Sequence, residues 1–173
     1  MKEKIYSIGK TVLICLMAIT VLFILYQSSL PPEESKETSD SVGGIIADII
    51  PPETPPGQFI QINLRKIAHF VEFAVLGAEF AAFVLIYFRK WSAILFGYPA
   101  AIITALLDET LQVFTGRGPD VKDVWLDFSG FLSSSLVIFG VFFLLILVIR
   151  LSKKKNSGSG ENGENFENNT DAC

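Results

Sequence analysis

Apolar side chains gather into four long tracts along this chain, at about residues 12–26, 67–88, 91–107 and 125–149, with polar side chains collected between them. With its interfacial ends counted, each tract reaches the roughly 20 residues that a helix needs to cross a ~30 Å hydrocarbon core. The expected fold is all-α: a polytopic membrane protein with four transmembrane helices. Residues 1–30 are expected to hold the first helix and a short cytoplasmic tail, and 31–66 an acidic, Pro-rich extracytoplasmic loop. Residues 67–150 form a three-helix core, and 151–173 a disordered cytoplasmic tail.

Composition points to the same class. Half of the 173 residues are hydrophobic and the mean hydropathy is +0.47, too apolar for an ordinary soluble domain. The first tract follows Lys2, Lys4 and Lys10, as a signal peptide would. Its exit "YQSSLPPEE" offers Gln27 and Ser29 where small residues belong, so an uncleaved helix is expected. Cys15 and Cys173 fall in different environments and form no disulfide framework; Ile14 stands where a lipid-attachment site needs a small residue.

Basic residues set the expected orientation. Of the 14 Lys and Arg, nine lie in the N-terminal tail, the Arg89–Lys90 connection and the C-terminal Arg150, Lys153, Lys154 and Lys155; the other five are Lys36, Arg65, Lys66, Arg117 and Lys122. Both termini are therefore expected in the cytoplasm, with the chain in a plasma membrane. The net charge of -4 is divided between two compartments and says little about partners. The bilayer is one partner; a nucleic acid is not expected.

Prolines in "LPPEE" and "IIPPETPPG" predict polyproline-like or irregular backbone for the long loop, with "GGIIADII" too short and Gly-rich to read as a firm helix. The tail is poor in hydrophobes and cannot offset its chain entropy, and its "NNT" sequon means nothing in a cytoplasmic segment.

The polar positions inside the tracts repeat at helical spacing. At 100° per residue, Arg65, His69, Glu72, Leu76 and Glu79 fall within an arc of about 80°. Measured from residue 67, Glu72 lies about 8 Å down this helix and Glu79 about 18 Å, where an ionised carboxylate costs several kcal/mol unless paired, hydrated or protonated. On the third helix Thr104, Asp108 and Gln112 share a face, with Glu109 about 100° away. "TGRGP" supplies a turn in which Gly116, Gly118 and Pro119 set the backbone and Arg117 is displayed between glycines. Asp120 and Asp123 suit the start of the fourth helix. There Asp123, Asp127, Gly130 and Ser134 share an arc of roughly 60°, acidic above and small below, and Gly130 with Ser134 permits close helix approach. The polar ends of three helices thus converge on one side of the membrane.

Several chemistries fit these residues. Lys122 and Trp125 serve as interfacial anchors, and the carboxylates of the third and fourth helices can pair with Arg117 and Arg65 to hold the bundle. A metal site built from His69, Glu72, Asp108 and Asp127 is conceivable. The chain has one His, no HExxH and no paired-Cys spacing, and Arg117 competes with a cation, so no metal or cofactor is expected. No G-x-S-x-G marks a Ser nucleophile. The mixed signs fit a polar headgroup best, with Arg117 and Arg65 or Lys66 holding phosphate or carboxylate oxygens. Two alternatives stay open: an enzyme in which His69 with Glu72 or Asp108 moves a proton, and a transporter or proton pathway through Glu79. Four helices are few for transport without oligomerisation, and an oligomer stays open.

"RKIAHFVEFAVLG" followed by "LLDETLQVFTGRGPDVKDVWLDFSG" resembles the VanZ-like membrane proteins. Their pattern is K-x-x-H-F, then D-E-x-x-Q, then R-x-x-x-x-D-x-x-x-N/D-x-x-G. It is carried here by Lys66, His69, Phe70, Glu72, Gly77, Asp108, Glu109, Gln112, Arg117, Asp123, Asp127 and Gly130, over about residues 12–149; "YQSSL" is similar to the family's Ser-containing exit. Asp120 stands where many relatives have Ser or Thr, and Asp127 where Asn is commoner, which makes this chain locally more negative. The namesake confers low-level resistance to teicoplanin, a glycopeptide antibiotic, and the family has no established catalytic activity. The resemblance implies a bacterial plasma-membrane protein acting at the outer leaflet on an envelope lipid or peptidoglycan precursor, with glycopeptide resistance as an expected phenotype.

Overall fold

The helices of the computed structural model, which describes residues 2–88, 92–118 and 120–167, are α1 (Lys2–Ser29), α2 (Pro32–Ala47), α3 (Pro55–Phe83), α4 (Ser92–Phe114) and α5 (Val121–Glu167). A π turn, Val84–Phe88, prolongs α3, and no strand occurs among the described residues. Among the described residues four stretches are long and apolar enough to cross a membrane: Glu3–Ser29, Pro55–Tyr87, Ile94–Phe114 and Val121–Ser152. The chain is a helical membrane protein. The Arg89–Lys90 connection, Pro119, the sequon at 168–170 and Cys173 lie outside the described residues.

The segment 31–66 departs from the irregular loop expected of it. Its prolines start helices instead of excluding them, because a helix's first turn needs no N–H from Pro and its φ is already helical. Pro32 opens α2, with Glu33 and Glu34 in the first turn where the helix dipole favours acid. Pro55 opens α3, whose N-cap Thr54 accepts a hydrogen bond from the Gly57 N–H at 3.2 Å. The helix expected from residue 67 thus begins twelve residues earlier, and α2 packs along its added turns. Gly43 permits this approach: a Cβ there would stand 3.0 Å from Gln61 Oε1, and Gln61 Nε2 donates to the Gly43 carbonyl at 3.0 Å.

In a bilayer the hydrophobic effect does not drive helices together, so close packing and interhelical hydrogen bonds must do so. α1 packs against α3 and α4. α3 and α5 meet backbone to backbone at two glycines, where a Cβ on Gly77 would strike the Phe131 carbonyl and Ser134 Oγ, and one on Gly130 the Phe70 carbonyl. Below this contact Phe80, Tyr98 and Phe131 stack edge and face, Phe80 lies against Gly97, and Tyr98 Oη and Ser135 Oγ share a hydrogen bond of 3.1 Å. At the far end the Tyr6 hydroxyl donates to the Ile86 carbonyl at 3.2 Å, where the π turn loosens the ladder.

Residues 1–136 form one compact unit that contains all these contacts, and residues 137–173 form a second. Over residues 137–167 the second unit is the remainder of α5, with Phe143, Leu144, Val148 and Ile149 exposed around it, the surface of a lipid-facing helix. Disorder is expected from residue 151, but the backbone continues as helix to Glu167, since no Pro interrupts the ladder running on from the apolar segment.

Gly77→Val is expected to cost about 1–3 kcal/mol by overpacking and to lower the unfolding temperature in detergent. Gly44→Val, at a position with open space, is expected to leave it unchanged; the two thermal unfolding curves check this.

Candidate functional site

The site is built from helix ends. At the C-terminus of α4 the Arg117 N–H bonds to the Gln112 carbonyl at 3.0 Å and the Gly116 N–H to the Val113 carbonyl at 3.1 Å. This paired pattern is a Schellman motif, and it needs a left-handed residue at the position Gly116 occupies with φ 85°. The motif turns Arg117 back onto the bundle. Arg117 is therefore buried, not displayed between its glycines, and its Nη2 donates to the Leu30 carbonyl at 2.8 Å, placing a cation at the C-terminal end of α1. Burial, foremost, and the neighbouring Arg65 cation lower the Arg117 pKa from its usual value, while Asp108 opposes them.

The start of α5 is fixed from two sides. Asp120 Oδ1 accepts from the Lys122 N–H at 2.9 Å, a side-chain N-cap, and the Asp120 N–H bonds to Glu109 Oε1 at 2.6 Å. Asp123 does not cap; it pairs with Lys66 Nζ at 3.0 Å. Lys66 is half exposed there, and solvent screening leaves such a pair little weight in stability.

Asp108 lies at the centre and is fully buried. Its Oδ1 accepts a short hydrogen bond from Ser28 Oγ of α1, and its Oδ2 accepts one from Gln112 Nε2 at 2.8 Å. His69 Nδ1 of α3 stands 3.4 Å from the same Oδ2, without the alignment of a hydrogen bond. Arg65 Nη2 donates to Gln112 Oε1 at 2.6 Å, so the Gln112 amide relays a cation to the carboxylate. Asp127 of α5 is also buried, and donor atoms of His69, Asp108 and Asp127 all lie within 4.8 Å of one another.

The chamber holds more polar atoms than its own bonds satisfy. Buried and without a hydrogen-bond partner are His69 Nδ1, Glu72 Oε2, Glu109 Oε2, Asp127 Oδ1, and both Nε and Nη1 of Arg117. Beside it, a cleft of about 270 Å³ opens between α1 and α3, lined by Ile19, Thr20, Phe23, Val71, Glu72 and Val75, so Glu72 borders an apolar groove. Glu79 stands deeper and apart, its Oε1 accepting from Thr20 Oγ1 at 3.1 Å.

The fold brings together Arg65, Lys66, His69, Glu72, Asp108, Glu109, Gln112, Arg117, Asp123 and Asp127 at one end of the bundle, and Gly77, Gly130 and Ser134 where α3 crosses α5. Ser28 and the Leu30 carbonyl join them without having been singled out among the site residues. The signal for Ser28 is a hydroxyl at the end of an otherwise apolar tract. The family model described as VanZ/LLP1 matches residues 11–147 of the chain. No curated protein and no solved structure matches it.

Ser28→Ala leaves a buried carboxylate oxygen short of its donor and is expected to cost about 1–3 kcal/mol. Lys66→Ala, which removes an exposed ion pair, is expected to cost less than Ser28→Ala. Chemical or thermal unfolding of the two variants in one detergent checks the contrast.

Proposed function

Because the chain belongs to the VanZ/LLP1 family, we propose that its polar chamber binds the anionic headgroup of an envelope lipid or peptidoglycan precursor at the outer leaflet of a bacterial plasma membrane. The observation that carries this reading is Arg117, buried on three helix ends with Nε and Nη1 still unpartnered. A buried guanidinium with free donors demands acceptor oxygens, and phosphate or carboxylate supplies them with charge-assisted bonds. Arg65 stands near enough to add a second positive field. The cleft bordered by Glu72 suits an acyl chain, since it is apolar and lies between two spans. The excess of Lys and Arg at the termini favours both termini in the cytoplasm, which puts the chamber outside. Occupying a precursor headgroup there gives a route to altered susceptibility to teicoplanin-type glycopeptides.

A second reading has one observation in its favour. His69 beside the buried Asp108 carboxylate is the arrangement of an oriented acid or base, and Glu72 borders both the chamber and the cleft. In that reading the chain is a membrane enzyme acting on the headgroup it binds.

Arg117→Ala is expected to weaken binding of a diphosphate-bearing lipid to the purified protein by at least ~10-fold, the loss of a charge-assisted bond of about 1.5–3 kcal/mol, and Arg117→Lys to recover only part of it. Lipid-binding titrations check this. Equal affinity in all three proteins removes the headgroup reading, and a mass change in the bound lipid that is lost in His69→Ala favours the enzyme.

A further inference from the structure

We propose that His69, Asp108 and Asp127 form a site for one divalent metal ion that takes both nitrogen and oxygen donors, Mn²⁺ or Zn²⁺. The three residues come from α3, α4 and α5, and one donor atom of each lies within 4.8 Å of the others. Two donors about 2.1 Å from a tetrahedral ion stand ~3.4 Å apart; His69 Nδ1 and Asp108 Oδ2 are 3.4 Å apart already, and the remaining donors need to close by at most about 1.4 Å. One imidazole nitrogen with two carboxylate oxygens is a donor set for Zn²⁺ or Mn²⁺; Mg²⁺ takes oxygen alone.

Burial and orphaned atoms argue independently for a cation. Asp108 is 0% and Asp127 1% exposed, yet Asp127 Oδ1 has no donor and His69 Nδ1 no hydrogen bond. Glu72 Oε2, also unpartnered, lies within electrostatic reach of both aspartates and offers a further oxygen. Two carboxylates this close in a water-poor interior repel strongly unless one is protonated or a positive charge lies between them, and a bound cation supplies that charge. Of the basic side chains nearby, Lys66 pairs with Asp123 and Arg65 bonds to Gln112, while Arg117 bonds by Nη2 to the Leu30 carbonyl and keeps Nε and Nη1 without a partner, so none of the three donates to Asp127 Oδ1. The Arg117 field reaches Asp108 without a hydrogen bond to it. Five carboxyl groups, those of Glu72, Asp108, Glu109, Asp123 and Asp127, stand around the site beside Arg65, Lys66 and Arg117.

The surrounding bonds have the form of a metal site's supporting layer. Ser28 and Gln112 hold Asp108 from α1 and α4, leaving Oδ2 facing His69 and fixing the carboxylate's rotamer. A lone histidine is thus enough when the fold supplies two buried carboxylates. The site stands apart from the headgroup reading, because it requires the metal alone.

The test is a Mn²⁺ titration of the full chain in detergent, with free Mn²⁺ read by its paramagnetic resonance signal and no lipid ligand present. Mn²⁺ is the probe because the thiols of Cys15 and Cys173 compete poorly for it. The expected result is saturation at one ion per chain, weakened at least ~10-fold in His69→Ala and in Asp127→Asn, with Glu79→Gln binding as wild type. Asp127→Asn removes a repelling charge at constant shape, so its metal-free unfolding temperature is expected to equal or exceed that of wild type, while added Mn²⁺ raises only the latter. Absence of saturable binding, or equal binding by all four proteins, overturns the site. So does a lowered unfolding temperature in Asp127→Asn with Mn²⁺ affinity unchanged.

Discussion

A carboxylate enclosed by membrane helices cannot stay there unaided, because an ion in hydrocarbon costs several kcal/mol and no water is at hand to offset it. Asp108 is such a group, and the polar end of this bundle is arranged around it. Ser28 from α1 and Gln112 from its own helix donate to it, His69 of α3 stands beside it, and Asp127 of α5 lies within the same few ångströms. Each helix that supplies a neighbour is held in register by doing so. The side chains that these four helices contribute therefore meet at a common level.

Local backbone rules put the partners in place. The left-handed Gly116 closes a Schellman motif, the motif sends Arg117 inward, and Arg117 ties the α4–α5 connection to the last carbonyl beyond α1. One turn on, Asp120 caps α5 while its amide is held by Glu109, so the helix carrying Asp127 starts at a defined height. Gly77 and Gly130 then let α5 lie directly on α3, which brings Asp127 to His69. Conformational rules thus become chemistry: a glycine with φ 85° positions a guanidinium, and two glycines without side chains position a carboxylate. What remains unsatisfied within the buried chamber is above all Arg117 Nε and Nη1 and Asp127 Oδ1.

The spans were legible because tract length and apolarity are set by bilayer thickness, and four tracts became four long helices. The grouping of His69, Asp108 and Asp127 was also within reach, since i, i+4 spacing marks a helix face and short connections put successive ends side by side. The segment 31–66 was misread through its prolines: the same residue type marks an extended loop or a helix start, and only the cap at Thr54 and the acidic first turn of α2 distinguish the two. The fate of Arg117 was illegible too, because its burial follows from hydrogen bonds between Gly116, Val113 and Gln112 that composition does not encode. Ser28 was hidden for a related reason. A hydroxyl at a helix end reads as a boundary residue until the helix bearing Asp108 is placed against it.

The central claim is that Asp108 accepts from α1 and α4 and is the centre on which these two helices and the His69 ring of α3 close. An experimental structure of the full chain in a lipid nanodisc tests it most directly. The account predicts the Asp108 carboxylate enclosed, with Ser28 Oγ and Gln112 Nε2 within about 3 Å and the His69 ring alongside. A carboxylate turned to lipid or bulk solvent, with α1 contributing no donor and His69 on another face of the bundle, would contradict it.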